Sequence, residues 1–289
     1  MSVTTSTPNR VSFRIRRQVR HGTKLPSSQN KRTRASLSLM ERVLTIAPPL
    51  VLGVFLLFSW YISTTYGHVS SLIIPAPKDV LTSLFNNLSA GTFQSNALVT
   101  VQESLLGFFL ALVVALPLGY GLAKSRLLAA AVHPYLAAGQ AIPAIVIAPL
   151  LVIWIGYGLI PVVILCALIV LFPMVITTVL GVQTIDQTLV DAARVEGASG
   201  WSLLAFIEFP LALPAILAAV RTGLTLSITG AVVGEFVSGG DQGLGALVLL
   251  AKDQFDTAFM FATLVVLGML AAFYYTASWL LVKLAKAVY

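Results

Sequence analysis

The sequence predicts an all-α polytopic membrane protein, with six transmembrane helices and a helical elbow between the fourth and the fifth. Three observations carry that fold class. Of the 289 residues, 57% are hydrophobic and only 10% are charged, whereas soluble domains carry roughly 25% charged residues. Apolar stretches of about 20 residues recur, each long enough at about 1.5 Å per residue to cross a hydrocarbon core about 30 Å thick. None of them alternates polar and apolar residues as a membrane strand does, and backbone groups in lipid must find partners within their own segment, so the spans are helices.

Residues 1–43 read as a basic, disordered tail. Arg10, Arg14, Arg16, Arg17, Arg20, Lys24, Lys31, Arg32, Arg34 and Arg42 precede the first apolar stretch, and Glu41 is the only acid among them. The net charge of +7 is therefore concentrated at one end of the chain. That placement speaks against a nucleic-acid partner and for a topogenic signal, the alternative being a specific lipid- or partner-binding arm. The apolar stretch that follows is long and has no small-residue cleavage site, so it is an uncleaved first span rather than a signal peptide.

Residues 44–289 make the membrane domain, with spans expected at 44–63, 98–123, 129–155, 159–181, 211–236 and 258–282. Pro143, Pro149, Pro161 and Pro173 are placed to kink and shape spans. The single cysteine, Cys166, falls inside an apolar stretch and has no disulfide partner in the chain, so it reads as a small core residue. His21, His68 and His133 are scattered without ligand spacing, which argues against a metal site.

Two connections are long enough to carry structure. In residues 64–97, the run from Pro75 to Leu84 predicts a proline-initiated amphipathic helix at the membrane interface. Residues 182–210 place Asp186, Asp191, Arg194, Glu196 and Glu208 in a pattern of helical period interrupted by Gly197 and Gly200. This second connection reads as two short helices joined by a turn, an elbow suited to docking.

Orientation follows from the remaining basic residues. With the tail in the cytoplasm, Lys124, Arg126, Arg194, Lys283 and Lys286 fall on the same side; only Lys78 and Lys252 lie opposite, and Arg221 sits within the fifth span. Positive charge marks the cytoplasmic side, so both termini are expected there.

The passage Asp191, Ala192, Ala193, Gly197, Ile207, Phe209 and Pro210 resembles the cytoplasmic coupling motif of binding-protein-dependent ATP-binding-cassette importer permeases. That motif runs Glu-Ala-Ala, three residues, Gly, nine residues, Ile, and a Leu-Pro pair one residue later. Asp191 stands for Glu and Phe209 for Leu, which keeps the chemistry approximately. Paired alanines permit close approach of a partner, the glycine permits a tight bend, and Pro210 is expected to end the elbow. Further runs resemble the nitrate, sulfonate, taurine and pyrimidine-precursor branch: Ile74 to Pro77, Ala141 to Ala144, Trp154 to Gly158, Gly230 to Glu235, Gly243 to Gly245 and Phe255 to Thr257. The resemblance covers about residues 70 to 283.

It implies the type I importer permease fold and a bacterial inner-membrane location. It also implies a separate cytoplasmic ATPase dimer, an external solute-binding protein, and a homodimer of this chain as the pathway. No phosphate loop is present; the run from Gly119 to Ser125 has the wrong spacing. The chain is therefore expected not to be an enzyme and to hold no cofactor, with ATP bound by the partner. In this reading Asp191, Ala192, Ala193, Gly197, Ile207 and Pro210 contact the ATPase.

Ionisable residues inside spans are costly and point to function. Glu103 and Glu235 are expected near the outer ends of the second and fifth spans, with Arg221 on the face that Glu235 shares, so the three are candidate pathway residues. Their structural alternatives are interfacial snorkelling for the acids and an ion pair or helix-end contact for Arg221. A carboxylate at the entrance disfavours anions, which leans the substrate toward a pyrimidine vitamin precursor or a flavin and away from a sulfonate, taurine or nitrate. An ion-coupled secondary transporter would require a larger inverted repeat, and a membrane enzyme would require a catalytic cluster; neither is visible.

Overall fold

The computed structural model of the chain describes residues 30–67, 70–238 and 242–288, and every regular element among them is helical. Residues 1–59 and 60–289 form two separate units. Helix α1 (Asn30–Thr65) begins in the first unit and carries an apolar span from Ala47. It begins at Asn30, within the stretch that the sequence reading gave to the tail. Arg, Leu, Met and Glu residues between 31 and 42 are good helix formers, and adding turns to a nucleated helix is easy. The rest of the tail, residues 1–29, lies outside the described residues.

In the second unit, α2 (Pro77–Ser89) starts on Pro77, as the interfacial helix was expected to do. It does more than lie on a membrane surface. Val80 is buried with Phe93, Leu244, Leu247 and Phe259, so α2 packs against α3 (Thr92–Lys124), α10 (Leu244–Asp253) and α11 (Thr257–Val288). Helix α10 has no counterpart in the sequence reading.

The expected third span is two helices, α4 (Arg126–Ala141) and α5 (Ala144–Ile155), bent by 96°. Pro143 explains the break: it lacks an N–H and drives the residue before it out of the helical region, and Ile142 is extended at φ −79°, ψ 120°. Around the bend lies a cavity of about 400 Å³ lined by Gln140, Pro143, Ile147, Ile169 and Phe172. The remaining spans are α3, α6 (Leu159–Gln183), the continuous run Gly200–Val237, and α11. The fifth span thus starts well before the expected residue 211. Its first turns are α8 (Gly200–Leu203) and a π-turn, Leu204–Glu208, which passes directly into α9 (Phe209–Ser238).

Three spans make the centre of this unit. Phe108, Ala111 and Ala115 of α3 are buried together with Cys166, Val170 and Met174 of α6, and Val220 and Leu224 of α9 pack against them. Lipid gives no hydrophobic drive between helices, so close approach through small residues has to supply the packing. Cys166 is fully buried where Gly107 of α3 and Gly230 of α9 press on it. A Cβ on Gly230 would stand 2.8 Å from the Cys166 Cα, which is backbone and cannot turn aside.

Gly230→Val is accordingly expected to overpack this contact and destabilise the unit by about 1–3 kcal/mol. Thermal unfolding of the detergent-solubilised protein should show the midpoint falling, with Gly53→Val, at a glycine whose added Cβ meets nothing within 4 Å, as the control.

Candidate functional site

Helix α7 (Gln187–Val195) is capped by Asp186, whose carboxylate accepts from the Thr188 N–H at 2.9 Å and the Thr188 hydroxyl at 2.7 Å. These bonds hold the Asp186 carboxyl below its ordinary value, so the cap is charged at neutral pH. The helix ends in a Schellman turn. Ala198 N–H reaches the Ala193 carbonyl at 2.9 Å, Gly197 N–H reaches that of Arg194 at 3.0 Å, and Gly197 is left-handed at φ +96°. Ser199 and Ser202 then form a capping box that starts α8.

The elbow is pinned from beneath by a buried cluster of Val182, Ile185, Val190, Leu203 and Ala212, which Ala193 and Ile207 join. The paired alanines divide between two tasks: Ala193 packs inward while Ala192 is exposed. Also exposed on the elbow are Val195 of α7, at 90%, and Trp201 of α8, at 77%. Asp191 and Arg194 form a surface ion pair at 3.2 Å, which contributes little stability. Pro210 does not end the elbow, contrary to expectation. It lies within the continuous helix two residues past the π-turn, where Phe209 N–H bonds the Leu204 carbonyl and the ladder is already displaced around the N–H that Pro210 lacks.

Glu208, at the end of the π-turn, is 2% exposed. Its Oε2 accepts from the Tyr120 hydroxyl and its Oε1 from Lys124 Nζ, each at 2.6 Å. Both donors belong to α3 and are four residues apart, so one face of its last turn clasps the carboxylate. Next to this joint is a cavity of about 310 Å³ between α3, α6 and the start of α9.

At the opposite end of α3 a second carboxylate is enclosed. Glu235 is 1% exposed. It accepts from the Thr100 hydroxyl at 2.6 Å, and from the backbone N–H of Gly245 and of Ala246. Thr100 also accepts from Leu244 N–H at 2.9 Å, and Asn96 Oδ1 from Gly243 N–H at 2.7 Å. The free N–H groups at the start of α10 are thus taken up by side chains of α3 and α9. Glu103 lies 5% exposed in hydrogen-bonding reach of Glu235, with its Oε2 buried and unpartnered among the described residues.

The structure therefore brings Glu103 and Glu235 together and leaves Arg221 apart. The Arg221 guanidinium sits over the Tyr275 ring of α11 at 4.7 Å, a cation–π contact rather than an ion pair. Cys166 is a core residue as expected, and His133 is exposed. The Tyr120–Glu208–Lys124 clasp and the Asn96–Thr100 cradle were not foreseen. In the sequence Lys124 reads as a topogenic charge and Glu208 as one polar residue of the elbow, and nothing there pairs residues so far apart along the chain.

Comparison with known proteins gives a consistent family. The family described as "Binding-protein-dependent transport system inner membrane component" matches residues 104–288. The riboflavin transport system permease protein RibX of Chloroflexus aurantiacus is 42% identical over 82% of this chain and 87% of its own length. A probable ABC transporter permease protein of Haemophilus influenzae is 34% identical over 83% and 97%. Among solved structures, an inward-facing conformation of the MetNI methionine ABC transporter aligns with a TM-score of 0.61 at 20% identity, covering 68% of this chain and 96% of that one. That structure shows the shared fold.

Glu235→Ala is expected to leave the Thr100 hydroxyl and the Gly245 and Ala246 N–H groups without their acceptor, destabilising the chain by about 3 kcal/mol. Thermal unfolding and limited proteolysis near Gly243 should report the loss together; an unchanged midpoint with no new cleavage would remove the cradle from the argument.

Proposed function

Because the chain belongs to the family of binding-protein-dependent transport system inner membrane components, we propose that it is the permease of an ABC importer that carries a flavin into the cell. The observation that carries this reading is the elbow. It presents Ala192, Val195 and Trp201 outward while its inner side is packed into the bundle. An exposed apolar patch on a rigid, capped element is a docking face. Its occupant in this reading is a cytoplasmic ATPase dimer that binds ATP, and both termini lie on that side. The permease itself holds no cofactor and catalyses no reaction.

Five continuous spans and a bent pair among the described residues supply half of a pathway, so a second copy completes it. The cavity at the α4–α5 bend supports the route. It combines an amide, Gln140, with an aromatic ring, Phe172, a lining that suits a flat heterocycle. The substrate assignment rests on the riboflavin relative and this lining. Glu103 no longer supports it: enclosed beside Glu235, it offers an anion no exposed charge. We assign both acids to holding the α10 corner and keep Arg221 as a pathway candidate.

Gly197→Leu forces a side chain into the left-handed turn at a strain of about 1–2 kcal/mol, and Ala192→Trp blocks the docking face. In proteoliposomes containing the ATPase and binding protein, each should lower ATP-driven riboflavin uptake at least tenfold while insertion is retained. Wild-type complex that imports taurine and not riboflavin would overturn the substrate.

Native mass spectrometry of the purified complex is expected to give two copies of this chain with two ATPase subunits. A single copy beside a different permease would contradict the homodimer.

A further inference from the structure

We propose that Glu208 is a positioning residue that carries movement of the elbow into α3, so that the clasp with Tyr120 and Lys124 is the mechanical joint of the transport cycle. The inference rests on the reading of the chain as an ATPase-driven permease. Four observations converge on this residue. It ends the π-turn, where the regular hydrogen-bond ladder is already interrupted and a helix yields most readily. Its two oxygens are held separately, at 2.6 Å each, by donors one helical turn apart on α3, which fixes the carboxylate against both sliding and rotation.

The elbow and the inner side of α3 also share one buried cluster, since Tyr120 and Ala123 pack with Val190 and Leu203. Beside the joint lies the cavity of about 310 Å³, lined by Leu116, Pro117, Thr178, Leu204 and Ile216. A filled interface would lock the first turns of the fifth span in place; this space lets them shift. Stability alone does not call for charge here, because well-packed apolar residues commonly replace a buried ion pair without loss. The directional strength of the pair is what an apolar contact lacks. When an ATPase displaces α7 and α8, the π-turn bends and Glu208 pulls the end of α3 with it. Helix α3 then conveys the movement to the far corner, where Asn96 and Thr100 hold α10.

The test uses the complete complex of permease, ATPase and binding protein in proteoliposomes, with riboflavin as solute and the ratio of riboflavin imported to ATP hydrolysed as the readout. A residue that only stabilises the fold changes the amount of complex and leaves this ratio alone. Glu208→Gln is expected to lower the ratio about fivefold or more, and the exchange Lys124→Glu with Glu208→Lys to restore most of it. If Glu208→Gln fails to assemble, Tyr120→Phe removes one of the two bonds and is expected to lower the ratio as well. Unchanged ratios in these variants would overturn the joint.

A second readout is independent of the solute. With Arg126→Cys in a Cys166→Ser background, alkylation at the first residue of α4, two residues past the end of α3, is compared with and without ATP and vanadate. Nucleotide is expected to change the rate several-fold when Glu208 is present and not when it is Gln. An equal change in both, or none in either, overturns the joint. Wild-type complex that hydrolyses ATP but imports no riboflavin would instead overturn the substrate reading, and the alkylation result would still decide the joint.

Discussion

Close contact between α3, α6 and α9 at Cys166 is the constraint on which the rest of the structure depends. In lipid, apolar side chains gain nothing by leaving their solvent, so helices adhere through dispersion and through the few hydrogen bonds that close approach allows. Gly107 and Gly230 bring two helices onto the Cys166 turn of a third, and its thiol bonds the Ser227 carbonyl at 3.2 Å. A larger residue at this level would separate α3 from α9. Both polar corners would then lose their partners, because α3 supplies Asn96 and Thr100 to one and Tyr120 and Lys124 to the other.

The spacing of those corners has a physical reason. Along α3, Thr100 and Tyr120 are separated by roughly 30 Å at the helical rise, which is about the thickness of the hydrocarbon core. Buried carboxylates are tolerable at those two depths, where water and headgroups are near, and far more costly between them. Each is also saturated by donors: Glu208 by a phenol and an ammonium, Glu235 by a hydroxyl and two backbone N–H groups. Polar groups satisfied in this way give direction where apolar packing gives only adhesion. The elbow is joined to the bundle in the same manner, with an apolar underside and capped ends, so a force applied to its outer face moves it as one piece.

Much of this was legible in the residues. The spans followed from length and composition, the α2 start from Pro77, and the bend of the elbow from Gly197, because each depends on near neighbours in the chain. The sequence reading failed where local signals compete. Pro210 looked like a terminator because proline removes an N–H, but a π-turn immediately before it absorbs that loss and the helix continues. The stretch 129–155 counted as one span by hydropathy, which records how apolar residues are and not the direction in which Pro143 sends the chain. Helix α10 went unseen because its first N–H groups are satisfied by Asn96, Thr100 and Glu235 rather than by a local cap.

By itself the sequence determined that the chain lives in a bilayer as helices, where its basic residues gather, and where a helical elbow leaves the bundle. Hydropathy, charge and turn chemistry are properties of consecutive residues, and the solvent acts on them directly. Only the tertiary structure decided what the charges do. It enclosed Glu103 and Glu235 together, sent Arg221 to Tyr275, and joined Lys124 and Tyr120 to Glu208. Pairings between distant residues arise from how helices are rotated and displaced against one another, and that is set by which small residues meet at the contact of α3, α6 and α9.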